Sequence, residues 1–473
     1  MKIEQLYTGC LAQGAYYIES NGEVAIIDPL REVQTYIDKA AASGANIKYI
    51  FETHFHADFV SGHVTLAERS GAAIVYGPGA DPSFEAVIAE DGQVFSLGDI
   101  TITALHTPGH TMESTTYLLK DAQGRDHAIF TGDTLFLGDV GRPDLAQKMG
   151  SLTTEDLAGY LYDSLHSKIM PLADDVIVYP AHGAGSACGK NMMKETVDTL
   201  GNQKRVNYAL RADMTKADFI KELTAGLLPP PAYFPLNVQM NKEGYQDIDE
   251  VLAKGQHALS PSEFEAAANA TGAVVLDVRS QSQFVVGHIP RSIFIGLNGS
   301  FAPWVGALIK DVKQPILLVV EEEQLQEAIT RLSRVGFDNV LGYLKGGLEA
   351  WKAAGYDLDK VRSVPAEVLR KAMQGEEDIH IVDVRKTSEY KAEHVDDAVN
   401  FPLSEINDHL ADLPQGKDFF VHCAGGYRSV IAASILKARG VHNMIDIAGG
   451  YSAIKKAGIE VTDFTCPSTE RHE

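Results

Sequence analysis

The sequence predicts an α/β protein: one layered α/β domain, then two copies of a small parallel α/β domain. Three observations carry this. Over residues 1–245 short aliphatic strands alternate with helical stretches, and chemistry-bearing residues stand just past strand ends. Further on, Val275-Leu276-Asp277-Val278-Arg279 is matched by Ile381-Val382-Asp383-Val384-Arg385, 275 against 381, an offset of 106. Each repeat then alternates strands and helices over about 100 residues, the pattern of a small parallel sheet. A chain of 473 residues has room for about three domains of this kind.

In order, Val24-Ala25-Ile26-Ile27-Asp28-Pro29 reads as a buried strand ending in a turn. Ile47-Lys48-Tyr49-Ile50-Phe51 is another, running straight into a histidine cluster, and Asp175-Val176-Ile177-Val178-Tyr179-Pro180 ends at His182. Pro229-Pro230-Pro231 breaks the last helical stretch, and about 232–258 reads as an extended linker. The predicted boundaries are 1–245 for the first domain, 246–258 for the linker proper, 259–360 for the first repeat and 361–473 for the second. His288-Ile289-Pro290 and His394-Val395-Asp396 share the repeat offset, and Gly346-Gly347-Leu348 mirrors Gly449-Gly450-Tyr451.

The repeats diverge after one strand. Phe419-Phe420-Val421-His422-Cys423 enters a Gly-rich loop, whereas Ile316-Leu317-Leu318-Val319-Val320 enters Glu321-Glu322-Glu323. No cysteine stands between 189 and 422. The first repeat therefore carries no thiol chemistry and is expected to serve structure or docking. Its acidic run either repels anions or is a solvated helix start.

Net charge is −23 and hydrophobic residues make up 45%. The composition suits packed cores. The charge argues against nucleic acid or an anionic membrane as partner and favours small molecules. Met1-Lys2-Ile3-Glu4-Gln5-Leu6-Tyr7 lacks the apolar run of a secretory leader, and aliphatic runs such as 316–320 are too short to span a bilayer. The four cysteines, 10, 188, 423 and 466, follow no disulfide spacing, so a reducing cytoplasm is expected. Cys466 lies in a polar tail and is given no role.

Four segments carry metal-type chemistry: Thr53-His54-Phe55-His56-Ala57-Asp58-Phe59, Pro108-Gly109-His110-Thr111, Thr131-Gly132-Asp133-Thr134 and Pro180-Ala181-His182-Gly183. Histidines and aspartates on separate strand-end loops have the make-up of a metal site, and two histidines at i and i+2 can face one ion. Their order resembles the metallo-β-lactamase superfamily, which implies an αββα sandwich over 1–245. Dinuclear hydrolases of that superfamily, glyoxalase II among them, carry a histidine directly after the first-motif aspartate. Here Phe59 stands there and cannot ligate.

The details most resemble persulfide dioxygenases fused to rhodanese domains. That resemblance implies one Fe(II) per metal domain, held by His54, His110 and Asp133, with His56, Asp58 and His182 orienting ligands and water. A 2-His-1-carboxylate face leaves positions open for O₂ and a soft sulfur donor. The alternative for His56 is a third histidine ligand in a zinc-like site. Arg142, in Gly138-Asp139-Val140-Gly141-Arg142-Pro143-Asp144, either pairs with a substrate carboxylate or fixes its loop. Tyr179 either donates to substrate or packs. Cys188 is either a buried inert thiol or a sulfur carrier near the metal.

Cys423-Ala424-Gly425-Gly426-Tyr427-Arg428-Ser429 follows a strand and precedes a helix. Backbone N–H groups of Ala424 to Ser429, a helix N-terminus and Arg428 together favour a nucleophilic thiolate and cradle a persulfide or sulfur oxyanion. The loop resembles the rhodanese sulfurtransferases, with Asp383-Val384-Arg385, His394 and Ala448-Gly449-Gly450-Tyr451 as its flanks. Arg385 is read as a structural partner near Asp383. Cysteine phosphatases place the arginine six residues after the cysteine; here it stands five after.

The resemblance covers nearly the whole chain. It implies oxidation of a thiol persulfide, glutathione persulfide or a similar one, with O₂ to sulfite and thiol. It also implies persulfide, sulfite and thiosulfate interconversion through Cys423 in sulfide detoxification, by a homo-oligomer. The alternative is a glyoxalase II-like zinc thioester hydrolase fused to a sulfurtransferase.

Overall fold

A computed structural model describes residues 1–145, 152–227, 229–375, 379–414 and 416–465. Cys466 lies outside them. The chain forms two compact units, one of residues 1–251 with 310–312 and 330–338, the other of 252–309, 313–329 and 339–473.

The first unit is built on two six-stranded sheets. One runs, in spatial order, Lys2–Thr8, Gln13–Ser20, Glu23–Ile27, Asn46–Phe51, Ala73–Tyr76, Val87–Ile88. The other runs Asp198–Thr199, Ile177–Pro180, Asp126–Gly132, Thr115–Lys120, Ile100–His106, Val94–Leu97. Period-2 alternation decides the layers. Ala25 and Ile27 of the first sheet join Tyr117, Leu119 and Phe130 of the second in one core between the sheets. Val24 and Ile26 turn to the other face, against the helix Gln34–Ser43 through Tyr36 and Ala40. Leu118 and Ile129 turn outward against the helices Thr154–Ser164 and Lys216–Thr224. The result is the αββα sandwich expected from the sequence.

The 232–258 stretch is not extended. It carries the helices Phe234–Glu243 and Ile248–Gly255 and the short strand Ala258–Leu259. Apolar periodicity missed the first helix because its buried face is Phe234, Asn237 and Asn241, correct in spacing but largely amide in character. Ile248 and Val251 are buried on the second helix.

The second unit holds two five-stranded parallel sheets of identical order. One is Ala258–Leu259, Val340–Leu344, Ile316–Val319, Val274–Asp277, Ile293–Phe294; the other is Ser363–Val364, Met444–Ile447, Phe419–His422, His380–Asp383, Val399–Asn400. Matching hydrogen bonds, Val278 N to Val319 O and Val384 N to His422 O, set buried Val320 at the place of Cys423. Glu321, Glu322 and Glu323 are exposed ahead of the helix Leu325–Arg334, so the acidic run is a solvated helix start. Among the described residues no helix is long and apolar enough to cross a membrane.

Candidate metal centre and thiol loop

Strand ends deliver the metal-type residues to one buried place. His54 follows Asn46–Phe51, Asp133 follows Asp126–Gly132 and His182 follows Ile177–Pro180. Gly132 makes the last turn toward Asp133 with φ +52°, and a Cβ there would stand 2.6 Å from the Thr53 side chain, so only glycine fits. The antiparallel bridge Gln13–His182 and the bond from Gly183 N to Ala12 O hold the His182 loop.

His54, His110 and Asp133 lie together, all buried, with one ligand atom of each within 4.8 Å of the others. Asp133 Oδ2 is 3.4 Å from His110 Nε2 and 3.9 Å from His54 Nε2. Hydrogen bonds decide which ring nitrogen faces the carboxylate. His110 Nδ1 lies 2.8 Å from the Arg142 carbonyl, which only accepts, so Nδ1 carries the proton and Nε2 its lone pair. Thr53 Oγ1 donates to Asp28 Oδ2 at 2.9 Å, which leaves its oxygen to accept from His54 Nδ1 at 3.0 Å. Burial, then the neighbouring His56, His110 and His182, hold His54 well below the usual imidazole range, so it is a neutral donor. Neither oxygen of Asp133 has a hydrogen-bond partner. Two aligned Nε2 atoms and an orphaned buried carboxylate fit a metal ion, which would relieve the cost of leaving that charge unpaired.

The Thr53 hydroxyl is thus a link from Asp28 to a metal-type histidine. Thr53→Val keeps the shape and removes the link. Its metal affinity, measured by chelator competition, is expected to fall about 10- to 100-fold.

The other predicted residues fall into three groups. His182, Asp58 and Cys188 adjoin the first three, and all are buried. Burial lowers the pKa of His182, but Asp58 and Asp133 more than offset this and hold it up at about 9. Burial, then Asp58 and Asp133, push the Cys188 thiol well up. His56 stands between two carboxylate groups: its Nε2 is 3.1 Å from Asp28 Oδ1 and 3.6 Å from Glu52 Oε2, it also lies with Asp58 and His182, ligand atoms within 4.8 Å of one another, and the Phe59 ring packs on it at 4.4 Å. Arg142 and Tyr179 both have protein partners. The Arg142 guanidinium forms a two-bond pair with Asp144, at 2.7 Å each. The Tyr179 ring, partly buried, stacks on Phe130 at 5.1 Å and meets Tyr16 edge-on, packed against the core between the sheets.

Three contributors were missed. Asp28, with φ +49°, accepts from Thr53 N and Oγ1; its only sequence signal is a polar residue ending a buried strand. Glu52 binds Ser61 Oγ and faces His63 at 3.6 Å. Asn241 donates to the carbonyls of His56 and Phe59, at 2.8 Å each, and accepts from Ser61 N at 2.9 Å. It therefore clamps the whole first motif. Asn241→Leu strands buried backbone groups, and urea unfolding of the metal domain is expected to show a loss of about 3 kcal/mol.

In the second repeat Cys423 is buried at the end of Phe419–His422, ahead of the helix Tyr427–Ala438. Gly426 N donates to Cys423 Sγ at 3.1 Å, and Ser429 Oγ lies 3.7 Å from it. Two loop carbonyls are engaged by the next helix start: Cys423 O and Ala424 O accept from Tyr451 N and Ser452 N. Gly450, φ +56°, permits this approach, since a Cβ there would lie 2.3 Å from Cys423 O. Arg428 is held by Glu389 in a two-bond pair at 2.6 and 2.8 Å. Arg385 pairs with buried Asp383 and stacks over Tyr451, the structural role expected of it. Tyr427 faces the first repeat, donating to Gly296 O at 2.6 Å, and Phe294 N donates to Ser434 Oγ on the same helix. The repeat without a cysteine thus braces the helix that follows the Cys423 loop. Among the described residues all three cysteines are free.

Comparison with known proteins agrees with this architecture. Residues 8–182 match the metallo-beta-lactamase superfamily, and residues 260–354 and 365–457 each match a rhodanese-like domain. A metallo-beta-lactamase structure from Staphylococcus aureus is 30% identical with a TM-score of 0.63, covering 73% of this chain and 98% of its own. A hydroxyacylglutathione hydrolase of Arabidopsis thaliana is 33% identical over 38% of this chain and 67% of its own length. A mitochondrial persulfide dioxygenase of Bos taurus is 28% identical over 46% of this chain and 78% of its own. The chain belongs to the metallo-beta-lactamase superfamily, with a metal-binding domain of that family followed by two rhodanese-like domains.

Proposed function

We propose that this chain oxidises a small-thiol persulfide with O₂ at a single ferrous ion held by His54, His110 and Asp133, and transfers sulfane sulfur through Cys423. The observation that carries the reading is the pairing of a two-histidine, one-carboxylate face with a buried thiol that accepts from Gly426 N ahead of a helix, on one chain. Phe59, which offers no donor where dinuclear thioester hydrolases carry a histidine, supports one metal over that arrangement.

A ferrous ion there supplies open positions for O₂ and a soft sulfur donor. The chain's own residues do the rest. Arg142 O and Thr53 Oγ1 keep the Nδ1 protons of His110 and His54 in place, so both Nε2 atoms stay available. Burial excludes bulk water from the three ligands. The overall change is RSSH + O₂ + H₂O → RSH + SO₃²⁻ + 2 H⁺. At the second site the Cys423 thiolate attacks the sulfane sulfur of thiosulfate or a persulfide. One S–S bond forms on Cys423, the donor's S–S bond breaks, and sulfite or thiol leaves with the electron pair. Gly426 N–H and the helix N-terminus face the sulfur that carries the charge. A free thiol of this kind suits the cytoplasm.

The test is oxygen consumption by the anaerobically iron-loaded full chain on adding glutathione persulfide, with sulfite and thiosulfate quantified. Uptake matched by sulfite is the expected result. An iron-loaded chain that consumes no oxygen, while its zinc-loaded form cleaves glutathione thioesters, would overturn the reading in favour of the hydrolase.

A further inference from the structure

Two arginines stand at the Cys423 loop, and both are tied to carboxylates. Arg385 stacks over Tyr451, whose backbone N donates to Cys423 O, and it pairs with Asp383. Arg428 gives Nη1 and Nη2 to Glu389, at 2.6 and 2.8 Å. The edge of its guanidinium that would grip two oxygens of a sulfur oxyanion is therefore already filled. Glu389 Oε2 also accepts from Lys386 N at 3.1 Å, so three donors hold the carboxylate where it is. Burial raises the Glu389 carboxyl, but Arg428 more than offsets this and holds it below the ordinary range, so it is ionised at neutral pH. A further side chain at the loop is neutral: the Gln281 amide nitrogen lies 3.4 Å from where a Cβ on Gly426 would stand.

The first repeat shows that the fold does not need the charge on Glu389. Gln283 precedes Glu389 by the repeat offset of 106. Its Oε1 accepts from Ser280 N at 3.0 Å, the same bond that Glu389 makes to Lys386 N. A neutral amide thus closes the equivalent helix start, Gln281–Val286 against Thr387–Ala392. The carboxylate appears in the repeat that carries the thiol, where it cancels an arginine.

The two kinds of sulfur donor differ in the charge they bring. Loading from thiosulfate, Cys423–S⁻ + S₂O₃²⁻ → Cys423–SS⁻ + SO₃²⁻, gathers three negative charges at the loop. Loading from a persulfide, Cys423–S⁻ + RSSH → Cys423–SS⁻ + RSH, gathers one. In the second case the thiolate bonds to the outer sulfur, the donor's S–S bond breaks, and the leaving thiol keeps the electron pair and takes the proton. A free guanidinium fork would offset the extra charge of the oxyanion. We infer, resting on the sulfur-transfer reading of Cys423, that Glu389 is a specificity-determining residue: by occupying the Arg428 guanidinium it sets the site toward thiol persulfides and against dianionic thiosulfate and sulfite.

The test is anaerobic sulfur loading of the full chain from thiosulfate and, separately, from glutathione persulfide. It is read by mass as one added sulfur on the peptide that carries Cys423, over a range of donor concentrations. Glu389→Gln keeps the helix start, as Gln283 does, and releases Arg428. It should raise second-order loading from thiosulfate at least about tenfold, chiefly through tighter donor binding, and leave loading from persulfide within about twofold. Glu389→Asp keeps the charge and should retain the wild-type ratio between donors. Adding Arg428→Gln to Glu389→Gln should remove the gain. A gain shared equally by both donors, a gain also present in Glu389→Asp, or no gain with thiosulfate overturns the proposal. A wild-type chain that loads Cys423 from neither donor sinks the sulfur-transfer reading, and this inference with it.

Discussion

His110→Ala is expected to abolish persulfide-dependent oxygen uptake, a fall of at least about a thousandfold, or about 4 kcal/mol of barrier. His110 is buried, its Nδ1 proton is committed to the Arg142 carbonyl, and its Nε2 faces Asp133 Oδ2 at 3.4 Å. Alanine leaves two donors of three and opens a polar void beside an unpaired carboxylate. Iron content after gel filtration should drop with activity. Sulfur exchange between thiosulfate and a thiol, which depends on Cys423, should not change in the same preparation. Normal uptake in His110→Ala would exclude it as a ligand and point to His56 rotating from Asp28 to the metal.

Cys423→Ser is expected to produce the reverse pattern. Thiosulfate-to-thiol transfer should fall at least about a thousandfold, since the hydroxyl is a far weaker nucleophile toward sulfane sulfur at neutral pH. Oxygen uptake with directly supplied glutathione persulfide should stay within about twofold of wild type. Serine fits the same buried loop, with Gly426 N still able to donate to it, so loss of folding is not the expected cause. Residual transfer in Cys423→Ser would sink the role given to this residue. Val320, at the matching place of the first repeat, offers no thiol to take over.

Much of this arrangement was legible in the sequence because its signals are local. Short aliphatic runs located the strands Glu23–Ile27, Asn46–Phe51 and Ile177–Pro180 to within a residue or two. The offset of 106 found the duplicated sheet, and the Cys423 loop announced a strand-to-helix turn. The helix Phe234–Glu243 escaped because its buried positions include Asn237 and Asn241, which a hydrophobic pattern does not count. For Arg142, Tyr179 and Arg428 the sequence could supply only a donor type. The structure adds what each side chain touches: Asp144, Phe130 and Glu389.

By itself, then, the sequence determined the fold class, the order of domains and the lack of a cysteine in the first repeat, and it pointed to the metal-type residues and the Cys423 loop. Only the tertiary structure decided how they are used. It set which nitrogen His54 and His110 present, turned His56 toward Asp28, split Asp133 between two donor sets, brought Cys188 beside His182, and made Asn241 the clamp of the first motif. The physical reason is range. Strand and helix patterns are written over a few neighbouring residues, whereas the orientation of a buried polar side chain depends on partners that the sheets bring in from 25 to 185 positions away.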